Sequence, residues 1–348
     1  MTTSSICTRS IATAFAFSIA SAFAPIVSAA TEATTVPVGF ITKTIPQATD
    51  ASTPSNTVLS IPLYQTADFQ SSVASTPTAG AHTITLNSAA FTTNQFTTTP
   101  HLLRVKSGAL TGKFLTILSH DATTLTLKEP NGGTAGVPDA NLTGLLANDT
   151  CEILPANTFG STFGANALIG SGTNAGDAGV DNVLIWNGNG YFTYYYNSNN
   201  NRWQKATVNA TNTIIFPDDA VFFTRKVTSP LSLTFMGTVP STSERTELLG
   251  SANNFMANRF PTDATLATSG IENTPGWVKG GTAGASDNVL IWNGSGFFTY
   301  YFNDTNNRWQ KATVNAAGTS LPAASGFFVV RSAGTADTVL TQSLPYTP

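Results

Sequence analysis

The sequence predicts an all-β protein: an N-terminal β-barrel or sandwich-like domain followed by two duplicated antiparallel β-modules. Three observations predict it. Only 10% of the 348 residues are charged, and 56 are threonine, whereas ordinary soluble domains carry about 25% charge. The 22 Phe and frequent Tyr and Val are interrupted by 28 Gly and 18 Pro, which reads as short strands joined by turns. Finally, Asp181–Gly188 returns as Asp287–Gly294 at an offset of 106 residues, and 25 of 30 positions are identical between 181–210 and 287–316. Two copies indicate a duplicated module, since a solenoid needs about three or more.

Residues 1–29 read as an export signal. Arg9 precedes the small and apolar run Ile11–Val27, and Val27-Ser28-Ala29 offers a small-residue cleavage site. Cleavage leaves Cys151 without an internal partner, and a lone cysteine of this kind is expected in the core. No second apolar stretch is long enough to span a bilayer.

The N-terminal β-domain is expected over 30–157. Its strands are read at 38–42, 58–62, 83–86, 102–105, 114–118, 124–127 and 151–154, with short helical turns at 66–73 and 142–146. The first module follows over 158–240. Val183–Trp186 is a short apolar strand, Asn187–Gly190 a turn and Tyr191–Tyr196 an aromatic strand. The Asn-rich turn Asn197–Asn201 leads into 202–208, and strands at 214–216, 221–225 and 231–235 complete an antiparallel meander. The second module, 241–348, repeats the pattern. Pro155–Thr158 and Pro240–Thr246 mark the linkers.

The chain resembles a family of uncharacterised secreted β-rich proteins from Gram-negative bacteria. The resemblance is carried by a Pro-Val-Gly-Phe start (Pro37–Phe40), a Ser-Gly-Ala-x-x-Gly hairpin (Ser107–Gly112) and a Thr-Thr-Leu-Thr-Leu strand (Thr123–Leu127). It continues through Trp292-Asn293, Phe298-Thr299-Tyr300-Tyr301 and the Gly-Phe-Phe-Val-x-Arg segment Gly326–Arg331. It departs from the pattern at Asn258-Arg259-Phe260-Pro261, where the family has Asn-Pro-Phe-Pro. The resemblance implies export and a β-rich build and assigns no activity.

The net charge of −3 leaves no basic excess to neutralise phosphates, which excludes a nucleic-acid binder. His82, His101 and His120 lie far apart and no paired Cys spacing exists, so no metal or other cofactor is expected. Ser119-His120-Asp121 are consecutive, and a catalytic triad is defined by spatial roles that neighbours in sequence do not supply. Asp181 and Asp287 are read as acceptors of turn N–H groups ahead of a strand. Asp218 and Asp219 are replaced in the second copy by Ala324 and Ser325, so no acidic pair recurs and no catalytic residue is assigned.

The aromatic strands offer one candidate ligand-binding platform: Trp186, Tyr195, Arg202 and Trp203 with their counterparts Trp292, Tyr301, Arg308 and Trp309. Alternation sends Tyr191, Thr193 and Tyr195 to one face and Phe192, Tyr194 and Tyr196 to the other. One face must be core, and the other either packs between modules or stacks on sugar rings. The functional expectation is an exported, non-enzymatic surface or extracellular-matrix protein acting in adhesion or assembly, with self-association. The alternative is a carbohydrate-binding protein that contacts a cell-surface glycan or envelope polymer, and a secreted glycan-active enzyme comes third.

Overall fold

A computed structural model describes residues 36–50, 52–130 and 140–347. The export signal read over 1–29 lies outside them. The described chain is almost entirely antiparallel sheet.

Strands β1 (Val38–Ile45) and β2 (Ser55–Leu59) come first. They are followed by a six-stranded sheet made of β3 (Phe69–Ser72), β4 (Thr83–Thr85), β5 (His101–Val105), β6 (Phe114–His120), β7 (Thr124–Lys128) and β8 (Thr150–Pro155). Its order is β3-β8-β5-β6-β7-β4, with a bulge between Ile117 and Ser119 that bends β6. The chain then forms a capped helical turn α1 (Phe159–Thr162) and strands β9 (Asn182–Trp186), β10 (Tyr191–Asn197), β11 (Arg202–Lys205), β12 (Val208–Asn209), β13 (Val221–Arg225) and β14 (Leu231–Thr238). The last third holds β15 (Glu244–Leu248), β16 (Asn253–Ala257), β17 (Ala264–Thr265), α2 (Leu266–Ser269), β18 (Asn288–Trp292), β19 (Phe297–Asn303), β20 (Arg308–Lys311), β21 (Val314–Asn315), β22 (Ser320–Leu321), β23 (Gly326–Val330) and β24 (Thr338–Gln342).

The sheets revise the domain boundaries read from sequence. β1 pairs with β14 and β2 pairs with β13, so both strands belong to the first module although they precede the N-terminal domain. That module is ordered β2-β13-β9-β10-β11-β12, and the second is ordered β16-β23-β18-β19-β20-β21. The ribbon β1–β14 corresponds to β15–β24. The sheet β3–β8 is therefore an insertion between β2 and β9 of module 1. The segment 66–73, read as a helical turn, contains β3, because Phe69–Ser72 finds a partner in β8. Residues 142–146 form turns instead of helix. The strand read over 202–208 breaks at Ala206, whose φ of 51° is matched by 52° at Ala312, and the strand read at 214–216 is reduced to an isolated bridge between Ile214 and Thr158.

Each module buries one sheet face against its own ribbon. Val183, Tyr194, Trp203 and Phe223 form that core with Leu231 and Leu233 in module 1. Val289, Tyr300, Trp309 and Phe327 do so with Leu248 and Leu340 in module 2. The inserted sheet has its own core, which includes Cys151. Desolvation pushes the Cys151 thiol up to about 12, which suits a packing role.

Buried pairs lock both modules the same way. Asp181 accepts from Arg225, the backbone N–H of Gly170 and that of Lys226. Asp287 meets Arg331 at 3.2 Å and accepts from the N–H groups of Val278 and Ser332. The aspartates thus do accept backbone N–H groups, and the repeated arginines supply the countercharge.

Candidate functional site

The outer faces of the two module sheets pack on each other, and each contact has a reciprocal. The Trp186 indole donates to the carbonyl of Asn253 at 2.8 Å, and the Trp292 indole donates to that of Asn56 at 3.1 Å. Asn253 and Asn56 hold the same register position in β16 and β2. Trp186 meets Phe328 edge-on at 5.2 Å and Trp292 meets Phe222 at 5.4 Å. Ala257 N–H donates to the Asp218 carbonyl and Ser60 N–H to the Ala324 carbonyl. These pairs describe a local twofold axis of the kind that relates identical subunits in an isologous dimer. Ala220 and Gly326 are equivalent and touch at the axis, where a Cβ on Gly326 would collide with Ala220.

The aromatic platform is taken apart by this arrangement. Trp203 and Trp309 are 1% exposed and lie in the module cores. The Trp203 indole donates to the Gly164 carbonyl, and the Trp309 indole faces Glu272. Tyr195 and Tyr301 are buried, and their hydroxyls donate to the carbonyls of Ala206 and Ala312 in the left-handed turns before β12 and β21. Trp186 and Trp292 belong to the module interface. Arg202 is half-buried and Arg308 exposed. Most of both faces of the aromatic strands is thereby committed to packing; Phe192 and its counterpart Phe298 stay 42% and 40% exposed, and the surface is concave at one place, beside Phe192.

That place is a cleft of about 480 Å³ where module 1, module 2 and the inserted sheet meet. Module 1 contributes Trp186 from β9, Phe192 and Tyr194 from β10, and Phe216, Asp218 and Asp219 from the turn before β13. Module 2 contributes Arg245 and Glu247 from β15 and residues 253–256 of β16. The insert closes the third side with Lys113, Phe114 and Glu129. Of the residues read from sequence as a platform, Trp186 alone reaches this cleft.

Its charges are unevenly matched. Lys113 Nζ lies 2.6 Å from Glu129 and 2.8 Å from Glu247. Burial raises the Glu129 carboxyl, and Lys113 opposes that shift. Asp219 accepts the Phe216 N–H at 3.0 Å, while Asp218 Oδ1 and Arg245 Nε are shielded from solvent without a hydrogen-bond partner. Burial, then the neighbouring Asp218 charge, pushes Asp219 up to about 8; burial also raises Asp218, against the pull of Arg259. Two adjacent carboxyls that both resist ionisation titrate as a coupled pair.

Behind the cleft, Glu244 is bonded by both Arg104 and Arg259, and Arg104 also meets Glu152 at 3.0 Å. The Arg104 guanidinium stacks on Tyr64 at 4.7 Å. Glu152 and Arg104 belong to the insert and Glu244 and Arg259 to module 2, so this buried network fixes the third wall of the cleft. Among the described residues no group of three His, Cys, Asp or Glu is placed to hold a metal ion. No helix among them is long and apolar enough to cross a membrane.

No family model matches the chain, and neither the curated proteins nor the solved structures contain a match to it.

Sequence reasoning noted that Asp218-Asp219 has no counterpart in the second copy and set the pair aside for that reason. The asymmetry was itself the signal. An insertion lies between β2 and β9 and none lies between β16 and β18, so the two sides of the axis were free to differ.

Proposed function

We propose that the chain is an exported, non-enzymatic surface or extracellular-matrix protein of adhesion or assembly, and that it makes its contact by holding a carbohydrate in the three-walled cleft. Membership of the secreted β-rich family that its motifs resemble belongs to the same reading. The observation that carries it is a single cleft lined by the aromatic side chains of Trp186, Phe192 and Phe216 together with the carboxyls of Asp218 and Asp219. Sugar rings present apolar C–H faces that stack on aromatic side chains and hydroxyls that satisfy fixed polar groups. Asp218 and Asp219 stand on one turn, and the carboxyls of the other two walls, Glu129 and Glu247, are both held by Lys113, an arrangement suited to gripping a ligand.

The test is titration of the purified chain with a panel of oligosaccharides by calorimetry, alongside Phe192→Ala. Phe192 is 42% exposed and lines the cleft, so its loss should weaken binding while leaving the melting temperature unchanged. A chain that binds no oligosaccharide overturns the reading.

The assembly part rests on a different observation. The outward face of the β1–β14 ribbon exposes Val38 and Phe40 (74% each) and Met236 (72%), with Phe40 directly opposite Met236. An apolar cluster on a strand pair with open edges favours association. Light scattering over a concentration series should show growth that reductant does not reverse, because Cys151 is buried.

A further inference from the structure

We propose that the sugar held in the cleft carries a free amino group, and that its ammonium sits against Asp218 and Asp219 under the aromatic wall. The inference rests on the carbohydrate reading above and adds the class of sugar to it.

The charge balance of the lining points this way. Four carboxyls, Asp218, Asp219, Glu129 and Glu247, face two cations, Lys113 and Arg245. Lys113 is already shared between Glu129 and Glu247. Among the described residues no cation lies within salt-bridge distance of Asp218 or Asp219. Arg259 faces Asp218 from behind, yet its guanidinium is committed to Glu244 and Tyr64. Arg245, the other cation of the lining, donates to the Ala109 carbonyl, so among the described residues no cation of the cleft contacts the acid pair.

The wall complements a cation as well. Trp186 and Phe216 line the cleft, and a cation over a ring face is stabilised, more so when desolvated. Phe192 already attracts an ammonium: Lys205 Nζ lies 3.8 Å from its ring centre. The sister module repeats that contact between Lys311 and Phe298 without any carboxyl, since Ala324 and Ser325 replace the acids. The ring and lysine are thus the shared architecture, and the carboxyls are the addition specific to the cleft. A neutral sugar would offer hydroxyls to the pair and leave its charge without a contacting cation in a partly buried site, which is costly.

An ammonium beside the pair favours its ionised form, so binding lowers the pair's hold on its proton. The groups facing the pair are Arg259, Glu244 and Glu247 from module 2 and Tyr194 from β10, with Lys113 and Glu129 on the third wall. No cation among them contacts the pair. Proton release on binding is a readout that mere stacking of a sugar on the rings does not move.

The experiment titrates the full chain with a glucosamine tetramer, its N-acetylated form and a glucose tetramer at one pH and salt concentration. Calorimetry in two buffers of different ionisation heat counts the protons. The glucosamine tetramer is expected to bind at least about tenfold more tightly than the other two and to release a proton. Asp218→Asn, which preserves shape, is expected to remove that preference and the proton release while retaining weak binding of all three. Equal affinities, or tighter binding of a neutral tetramer, overturn the amine preference and leave the cleft as a sugar site. No binding of any tetramer overturns the carbohydrate reading itself.

Discussion

On one side of the local twofold axis the turn before β13 ends in Asp218-Asp219, in a cleft walled by the inserted sheet. On the other side the turn before β23 ends in Ala324-Ser325, and no insert stands beside it. The strands, the capped helical turns, the Asp–Arg locks and the interface indoles agree between the two sides. What stabilises the fold is duplicated, and what distinguishes one side from the other is confined to a turn and the surface facing it. A duplicated module keeps its core because both copies need it, and one copy becomes free to take up chemistry where a new wall excludes water.

The largest effect should come from the duplicated cores. Trp203→Ala and Trp309→Ala each remove a fully buried indole and should destabilise the chain by about 3–5 kcal/mol in urea denaturation. Near-equal losses support the equivalence, and a gap beyond about 2 kcal/mol breaks it.

The next effect belongs to the acid pair. In the folded chain Asp219 keeps its proton up to about pH 8, whereas unfolded aspartate loses it near about 4. The folded state holds the extra proton across that window, so stability should fall as pH rises through it, by at most about 1.4 kcal/mol per pH unit for one proton. The double change Asp218→Ala with Asp219→Ser copies the sister turn and should flatten the thermal stability profile between those limits. An unchanged slope would place the titrating group elsewhere.

A smaller loss is expected at the paired turns. Tyr301→Phe leaves the Ala312 carbonyl without its hydroxyl donor, and Tyr195→Phe does the same at Ala206; each should cost about 1 kcal/mol. The sequence favours Phe at two neighbouring positions of module 2, Phe297 and Phe302, where module 1 has Tyr191 and Tyr196. Of those two hydroxyls, that of Tyr196 donates to the Asn201 side chain and not to a backbone carbonyl, which sharpens the contrast with Tyr195 and Tyr301. The smallest effect is Phe40→Ser on the exposed ribbon. Stability should stay within about 0.5 kcal/mol, while scattering should lose any growth with concentration.

Much of each module was legible in the residues. Val183–Trp186, Tyr191–Tyr196 and Val221–Arg225 alternate or run apolar between Asn-Gly and Pro-Asp turns, and they fold as read. Phe69–Ser72 was not legible, because a short edge strand of mixed polarity is held by its partner and not by its own pattern. The cleft was illegible for a related reason. Lys113, Glu129, Phe192, Asp218 and Arg245 are far apart in the chain, and no spacing rule links them.

By itself the sequence determined the all-β class, the duplication at an offset of 106 residues and the strands of each copy, because alternation and turn chemistry are local and repeat with the residues that encode them. Tertiary structure alone decided that β1 and β2 complete module 1 across an inserted sheet, that most of the aromatic strands' surface is covered by packing, and that Asp218 and Asp219 end in a cleft between three walls. Strand pairing over long separations and the exclusion of water depend on which surfaces meet, and that is a property of the folded chain.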